Sequence, residues 1–241
     1  MITKSDKFWL EENYPDLYFD SETQVIRGRL CFAMYYSANE PGYVLNPDSS
    51  YESKDGIVIR DVYEIEIDLS TQGFLPRVRE IGGRILRAKE KWGINSTADM
   101  HLFLDGANCL CARTEEQARM PNGFNLKDFF ENLLISYFYY QSFFEKYGKE
   151  PWKGYSHDDL GILESYLNCQ GDISLEVVQS FLSNLVNEGL AKAIVDNRQI
   201  KGHHFCICGS RKKQRHCHRD AWFGYDKLRN DYRKVKKLLR N

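Results

Sequence analysis

The chain has 241 residues, 42% hydrophobic and 28% charged, a balance that excludes wholesale disorder and is ample for a hydrophobic core. Seven cysteines, an odd number with three in one short C-terminal run, do not make the even framework of a disulfide-stapled secreted domain, and point to a reducing cytoplasm. The net charge of −1 conceals an asymmetry: residues 201–241 hold 13 Lys and Arg against 3 Asp, a net of +10, which leaves −11 for residues 1–200, so an acidic body and a basic tail are expected to have separate jobs.

The opening MITKSDKFWLEENYPD lacks the apolar centre of a secretory signal, and residues 5–13 read as a short helix. Rising β-branched and aromatic content makes Val25–Tyr36 a strand. A polar loop follows over 39–56. In 57–69, Tyr63, Ile65, Ile67 and Leu69 alternate with Glu64, Glu66 and Asp68, so that strand packs one face on a core and turns the other to water. Residues 76–85 suggest a further strand or strand-turn, broken at Gly82-Gly83, and 101–104 a short apolar strand running into the turn dipeptide Asp105-Gly106. The strongest helix spans 126–147, with Asn125 as N-cap and Gly148 as stop. Residues 175–190 form a second, capped by Ser174. The longest uncharged stretch, 132–144, is too short to cross a bilayer. Strands first and helices after make an α+β layer, an antiparallel meander covered by helices on one face.

The most specific local pattern is Cys206-Ile-Cys208-Gly-Ser-Arg-Lys-Lys-Gln-Arg-His-Cys217-His218. Three thiols and an imidazole within thirteen residues make a complete tetrahedral Cys₃His set for zinc. Gly209 and Ser210 turn the chain, and His203, His204 and His216 stand near enough to substitute for a ligand or to orient one. Chance cysteines in a flexible tail are the alternative. The segment resembles the SEC-C motif, a small zinc finger of bacterial secretion ATPases and other bacterial proteins, whose Cys-x-Cys-x₈-Cys followed by Cys or His is matched by Cys206, Cys208, Cys217 and His218. That resemblance implies a structural zinc ion and a protein-docking role without catalysis. The surrounding basic residues are either phosphate contacts or solvated charge, and nucleic acid is not an expected partner.

In the body, His101-Leu-Phe-Leu-Asp105-Gly106-Ala-Asn108-Cys109-Leu110-Cys111 places a cysteine in a turn, where a thiolate is either exposed and nucleophilic or a bystander. Cys31 and Cys169 read as structural. The run Tyr63-Glu-Ile-Glu-Ile-Asp-Leu, then Gly73-Phe-Leu-Pro-Arg-Val-Arg-Glu, then His101 and Gly106-x-x-Cys109-Leu110 resembles ubiquitin-conjugating enzymes of the divergent bacterial type. The resemblance implies a short N-terminal helix, a four-stranded meander and an active-site turn over roughly residues 5–165. It makes Cys109 the thioester-forming nucleophile, with Cys111 as backup, and His101 the residue that buttresses the loop.

The Asn of the eukaryotic His-Pro-Asn is absent here, and Asn108 is the substitute amide for the oxyanion. Asp105, Glu115 and Glu116 are the candidate bases. The expected organisation is a conjugating-like domain over 1–168, a helical connector over 169–200, and a zinc module with a basic helical tail over 201–241. The expected activity is transfer of a protein C-terminus, from a ubiquitin-like protein or an antiphage cyclic-oligonucleotide synthase, to a target lysine after delivery by an activating-enzyme-like protein. A bacterial conjugation or phage-defence operon is the expected setting, and no membrane is involved. The alternative is a catalytically inactive adaptor of the same fold that docks partners through its zinc tail.

Overall fold

The computed structural model describes residues 2–40, 42–71, 73–112, 115–120, 122–169 and 174–238; the expected connector and zinc module therefore include stretches, 170–173 and 239–241, that lie outside the described residues. The chain falls into two compact units, Met1–Cys111 with Glu116–Lys153, and Ala112–Glu115 with Gly154–Asn241. Among the described residues no helix is long and apolar enough to cross a membrane.

The first unit is α+β with an antiparallel sheet of five strands. It opens with α1 (Lys4–Asn13), started by a capping box in which the Thr3 hydroxyl accepts the Asp6 N–H and the Asp6 carboxylate accepts the Thr3 N–H. The sheet is built on two twelve-residue strands, β2 (Val25–Tyr36) and β4 (Ile57–Asp68), paired along their whole length from Val25↔Asp68 to Tyr36↔Ile57. On the far edge of β2, β1 (Leu17–Asp20) pairs with residues 25–28 and β3 (Tyr43–Leu45) with residues 34–36. These two short strands share one edge, so the sheet is four positions wide. The fourth position is β5 (Arg77–Glu80), on β4. The alternation holds: Ile26, Leu30, Phe32 and Met34 of β2 and Tyr63, Ile65 and Ile67 of β4 are buried, while Arg27, Arg29 and Glu64 point to water. Cys31 follows the outward set and is exposed, donating weakly to Asp16.

The inner face is covered by one long helical run: α4 (Leu126–Phe129), a π turn (Phe130–Leu134) and α5 (Ile135–Tyr147). Asn125 caps its start by accepting the Asp128 N–H, and Gly148, at φ +65°, ends it in the left-handed region that glycine favours. The π turn widens the helix and exposes a carbonyl, that of Glu131, to which the Tyr43 hydroxyl donates at 2.6 Å. Phe138 packs on Tyr63 with ring centroids 4.6 Å apart, and the Tyr139 hydroxyl donates to the Ile57 carbonyl. Arg84, at the start of α2 (Arg84–Lys91), ties β4 to α5 by bonding the carboxylates of Asp61 and Glu145.

Three sequence expectations change. The loop over 39–56 contains β3 and a 3₁₀ turn, Ser49–Ser53. The strand expected over 76–85 ends at Glu80, and Gly82-Gly83 leads directly into α2. Residues 101–104 form no strand, because His101 adopts a left-handed conformation after the 3₁₀ turn Ala98–Met100 and only Leu102 bridges, to Asn108. A four-residue helix, α3 (Glu116–Arg119), completes the unit.

The second unit is helical. Its core gathers Leu163 and Tyr166 of α6 (Asp158–Asn168), Val178 and Phe181 of α7 (Leu175–Asn184), Leu190 and Ile194 of α8 (Glu188–Val195), and Tyr225 and Leu228 of α10 (Arg219–Leu238). A short α9 (Gln214–Cys217) precedes α10. Ser174 caps α7 as expected, but the single helix expected over 175–190 is two: Asn187 starts α8 by accepting the Leu190 N–H, and Asp159 accepts the free N–H groups of Val186 and Asn187 in the gap. Helices α6 and α10 cross so closely at Gly224 that a Cβ there would lie 1.8 Å from the Leu163 carbonyl oxygen. Beyond the crossing, the Lys227 ammonium donates to the carbonyls of Tyr166, Leu167 and Cys169, satisfying acceptors that the end of α6 leaves open.

Candidate cysteine loop and metal centre

The first unit presents Cys109 on a loop that is braced from below. The Cys109 N–H donates to the His101 carbonyl at 2.8 Å, and the Asn108 N–H to the Val78 carbonyl of β5, also at 2.8 Å. Asp105-Gly106 makes the expected turn, with Gly106 at φ +79° and the Asp105 side chain accepting the Ala107 N–H. The loop stands on α5: the Tyr137 hydroxyl donates to the His101 carbonyl and accepts from the Asn108 side-chain amide, while Gln141 donates to the Met100 carbonyl. Tyr137 is fully enclosed, and burial pushes its hydroxyl far above the ordinary tyrosine range, so it remains a neutral donor at any physiological pH.

The predicted residues take distinct places. His101 sets its ring edge-on to Tyr140, with centroids 5.1 Å apart, and its carbonyl receives the Cys109 amide. Cys109 is half-buried, its sulfur 3.7 Å from the Cys111 carbonyl. Cys111 is also half-buried and packs against the hydrophobic core; residues 109–111 lie outside any strand, so no pleat sets the two thiols on one face. Asn108 is buried and its amide N–H is committed to Tyr137, with the side-chain oxygen left unpartnered inside. The hydrogen bond from Arg77 holds the Asp105 carboxylate below the usual range, with Arg79 close behind. Glu115 donates its N–H to the Ala112 carbonyl, and Glu116 opens α3.

In the second unit the structure gathers Cys206, Cys208, Cys217 and His218. Their ligand atoms all lie within 4.8 Å of one another. The separations Cys206 Sγ to His218 Nδ1 and Cys217 Sγ to His218 Nδ1 are 3.3 Å, and Cys208 Sγ to Cys217 Sγ is 3.6 Å. A tetrahedral centre with metal–sulfur bonds of about 2.3 Å has edges of about 3.8 Å, so the four donors fit one ion. The chain reaches this arrangement through a small hairpin: the Cys206 N–H donates to the Lys212 carbonyl, and the Gln214 N–H to the His204 carbonyl. Gly209, at φ +77°, reverses the direction between them.

Buried Gln214 accepts the Ile207 N–H and fixes the two arms of the hairpin together. Desolvation raises the Cys206 thiol to about 11. For Cys208 desolvation acts in the same direction, but hydrogen bonds from the Ser210 hydroxyl and backbone N–H and from the neighbouring thiols outweigh it and lower that thiol to about 6. His203, His204 and His216 stay outside the cluster: the first two rings lie edge-on to each other, and His216 accepts from the Arg215 guanidinium.

Tyr137 and Gln141 under the cysteine loop, and Gln214 in the hairpin, were not marked by the sequence as site residues. Tyr137 belongs by spacing to the apolar stripe of its helix, and a buried glutamine has no periodic signature. Compared with protein-family models, curated proteins and solved structures, the chain has no match.

Proposed function

We propose that the chain is a ubiquitin-conjugating-like transferase with Cys109 as the thioester-forming nucleophile, and that the Cys₃His set holds a structural zinc ion. The observation that carries this proposal is the cysteine loop itself: a half-exposed thiol whose own amide is bonded to the His101 carbonyl, on a turn braced against a buried tyrosine of the long helix. The order of elements, a helix, an antiparallel sheet, the cysteine turn and then a long helix across the inner face, supports it as well.

The chemistry is two acyl transfers. The Cys109 thiolate attacks the thioester carbonyl that links an activating-enzyme-like protein to the C-terminus of its cargo, a ubiquitin-like protein or a cyclic-oligonucleotide synthase. The tetrahedral intermediate collapses with loss of the carrier's thiolate. A target lysine amine then attacks the Cys109 thioester, Cys109 leaves as thiolate, and the ammonium proton passes to solvent or a nearby carboxylate. His101 and Tyr137 hold the loop through both steps. Zinc supplies folding energy to the tail that recruits a partner.

A second reading, an inactive adaptor of the same shape, is favoured by two side chains: the Asn108 amide donates to Tyr137, and the Asp105 carboxylate to which a base role would fall is paired with arginine. The test separates them. Cys109→Ser, recovered from the native host, is expected to carry an added mass equal to a small protein joined through its C-terminus as an oxyester, and Cys109→Ala to carry none. Absence of an adduct with an activating enzyme present favours the adaptor; an adduct on Cys111→Ser alone moves the nucleophile.

A further inference from the structure

The hairpin that gathers the four ligands has a second property. Residues 201–219 contain six Lys and Arg and no Asp or Glu. A divalent ion among three thiolates would remove only one unit of that charge. Lys201, Arg211, Lys212, Lys213 and Arg215 are all exposed, and among the described residues none of them is paired with a carboxylate.

The hairpin also sets an aromatic ring in the middle of this charge. Phe205 and Lys213 oppose each other as an antiparallel bridge, so their side chains rise from the same face as neighbours. Phe205 is 72% exposed, although it sits in a hairpin whose other apolar residue, Ile207, is tucked against the helical core. A few residues on, the Arg219 guanidinium lies 5.2 Å from the ring centre of Phe223, which stacks on Trp222. Trp222 is fixed by donating to the Ile200 carbonyl, and Gly202 lies against its ring. A half-exposed aromatic pair therefore borders the base of the same basic hairpin.

We propose that this surface binds single-stranded nucleic acid, with phosphates against the exposed Lys and Arg and a base stacked on Phe205. An acidic protein surface would satisfy the charge, and Phe and Arg suit such an interface, but the three lysines Lys201, Lys212 and Lys213 do not, because lysine is depleted where proteins bury one another's surfaces. Unpaired bases offer a flat face to an exposed ring whatever their sequence, and their phosphates are spaced for flexible cations. A duplex hides those faces. The hairpin is also too short to fill a groove as a helix does.

The test is anisotropy of labelled twelve-residue oligouridine and oligothymidine with the full chain, over a series of salt concentrations. Each phosphate neutralised contributes about −0.7 to the logarithmic salt slope, so the Lys212→Gln/Lys213→Gln variant is expected to flatten it by about 1.4. Phe205→Ala is expected to weaken binding about 5- to 150-fold at fixed salt with the slope unchanged, and Phe205→Trp to retain it. The relative affinity of the two oligonucleotides tells RNA from DNA as the occupant. Metal content of each variant is measured alongside; if Phe205→Ala loses metal, the salt slope and Phe205→Trp decide. Wild-type binding by metal-replete Phe205→Ala, equal affinity for polyglutamate of matching charge, or no binding at low salt would each overturn the proposal, the second in favour of an acidic protein partner.

Discussion

The Tyr137 hydroxyl donates at 3.2 Å to the His101 carbonyl, the same oxygen that receives the Cys109 N–H at 2.8 Å. One buried phenol thus positions the backbone on which the candidate nucleophile rides. Tyr137→Phe removes that donor and leaves the buried Asn108 amide without its acceptor, and an orphaned buried group of this kind costs about 1–3 kcal/mol. Urea unfolding is expected to show that loss. The rate at which iodoacetamide alkylates Cys109 is expected to change in the same variant, and an unchanged rate would detach the thiol from the brace.

Arg84 joins a strand to a helix through two carboxylates. Burial resists ionisation of Asp61, but hydrogen bonds from Arg84, the Ser142 hydroxyl and the Val62 N–H outweigh it, so its folded pKa lies below its ordinary 3.8. A lowered carboxylate pKa contributes stability that is complete above the unfolded value and is lost as pH falls through the folded one. Wild-type stability is therefore expected to fall below pH ~4 more steeply than that of Asp61→Asn, as read by denaturant midpoints at pH 7 and pH 3. Arg84→Met is expected to cost about 2 kcal/mol at pH 7, since it leaves both partly buried carboxylates without their cation.

Gly224 separates helix propensity from packing. Alanine is favoured over glycine inside a helix by about 1 kcal/mol, yet a Cβ here would meet the Leu163 carbonyl oxygen at 1.8 Å. Gly224→Ala is expected to destabilise the second unit by about 1–3 kcal/mol in thermal unfolding. A stabilised variant would mean that α6 and α10 separate freely.

Metal removal is the fourth test. The candidate ligand set ends at His218, one residue before α10 begins, so an ion held there would close the hairpin directly onto α10. Chelation, or Cys217→Ser, is expected to lower the midpoint of the second unit's unfolding and to release one equivalent of metal per chain, because metal bound only by the folded form adds its binding energy to folding.

What the sequence made legible follows the range of each interaction. Strand β2 shows itself through a long run of β-branched and aromatic side chains and β4 through the alternation from Tyr63 to Leu69, and the caps Asn125 and Gly148 because helix ends depend on local backbone groups. The candidate metal ligands are legible for the same reason: all four fall within thirteen residues. The short edge strands β1 and β3 are invisible alone, since their pairing is supplied by β2. The apolar stripe over 175–190 runs unbroken through a gap whose N–H groups are capped by distant Asp159. The brace beneath Cys109 is hardest to see, because it joins Asn108, His101 and Met100 to residues 29, 36 and 41 positions away.

The π turn at Phe130–Leu134 sets the rotational phase of everything that follows it. A helix advances about 100° per residue, and the wide turn absorbs one residue, so regular α winding through 130–134 with the sequence unchanged would swing every residue of α5 by about that angle relative to α4. Tyr137 and Gln141, one helical turn apart, would then leave the underside of the cysteine loop together, and Phe138 would leave Tyr63. The single extra residue works as a timing mark, aiming one stripe of α5 at the sheet and the next at the thiol.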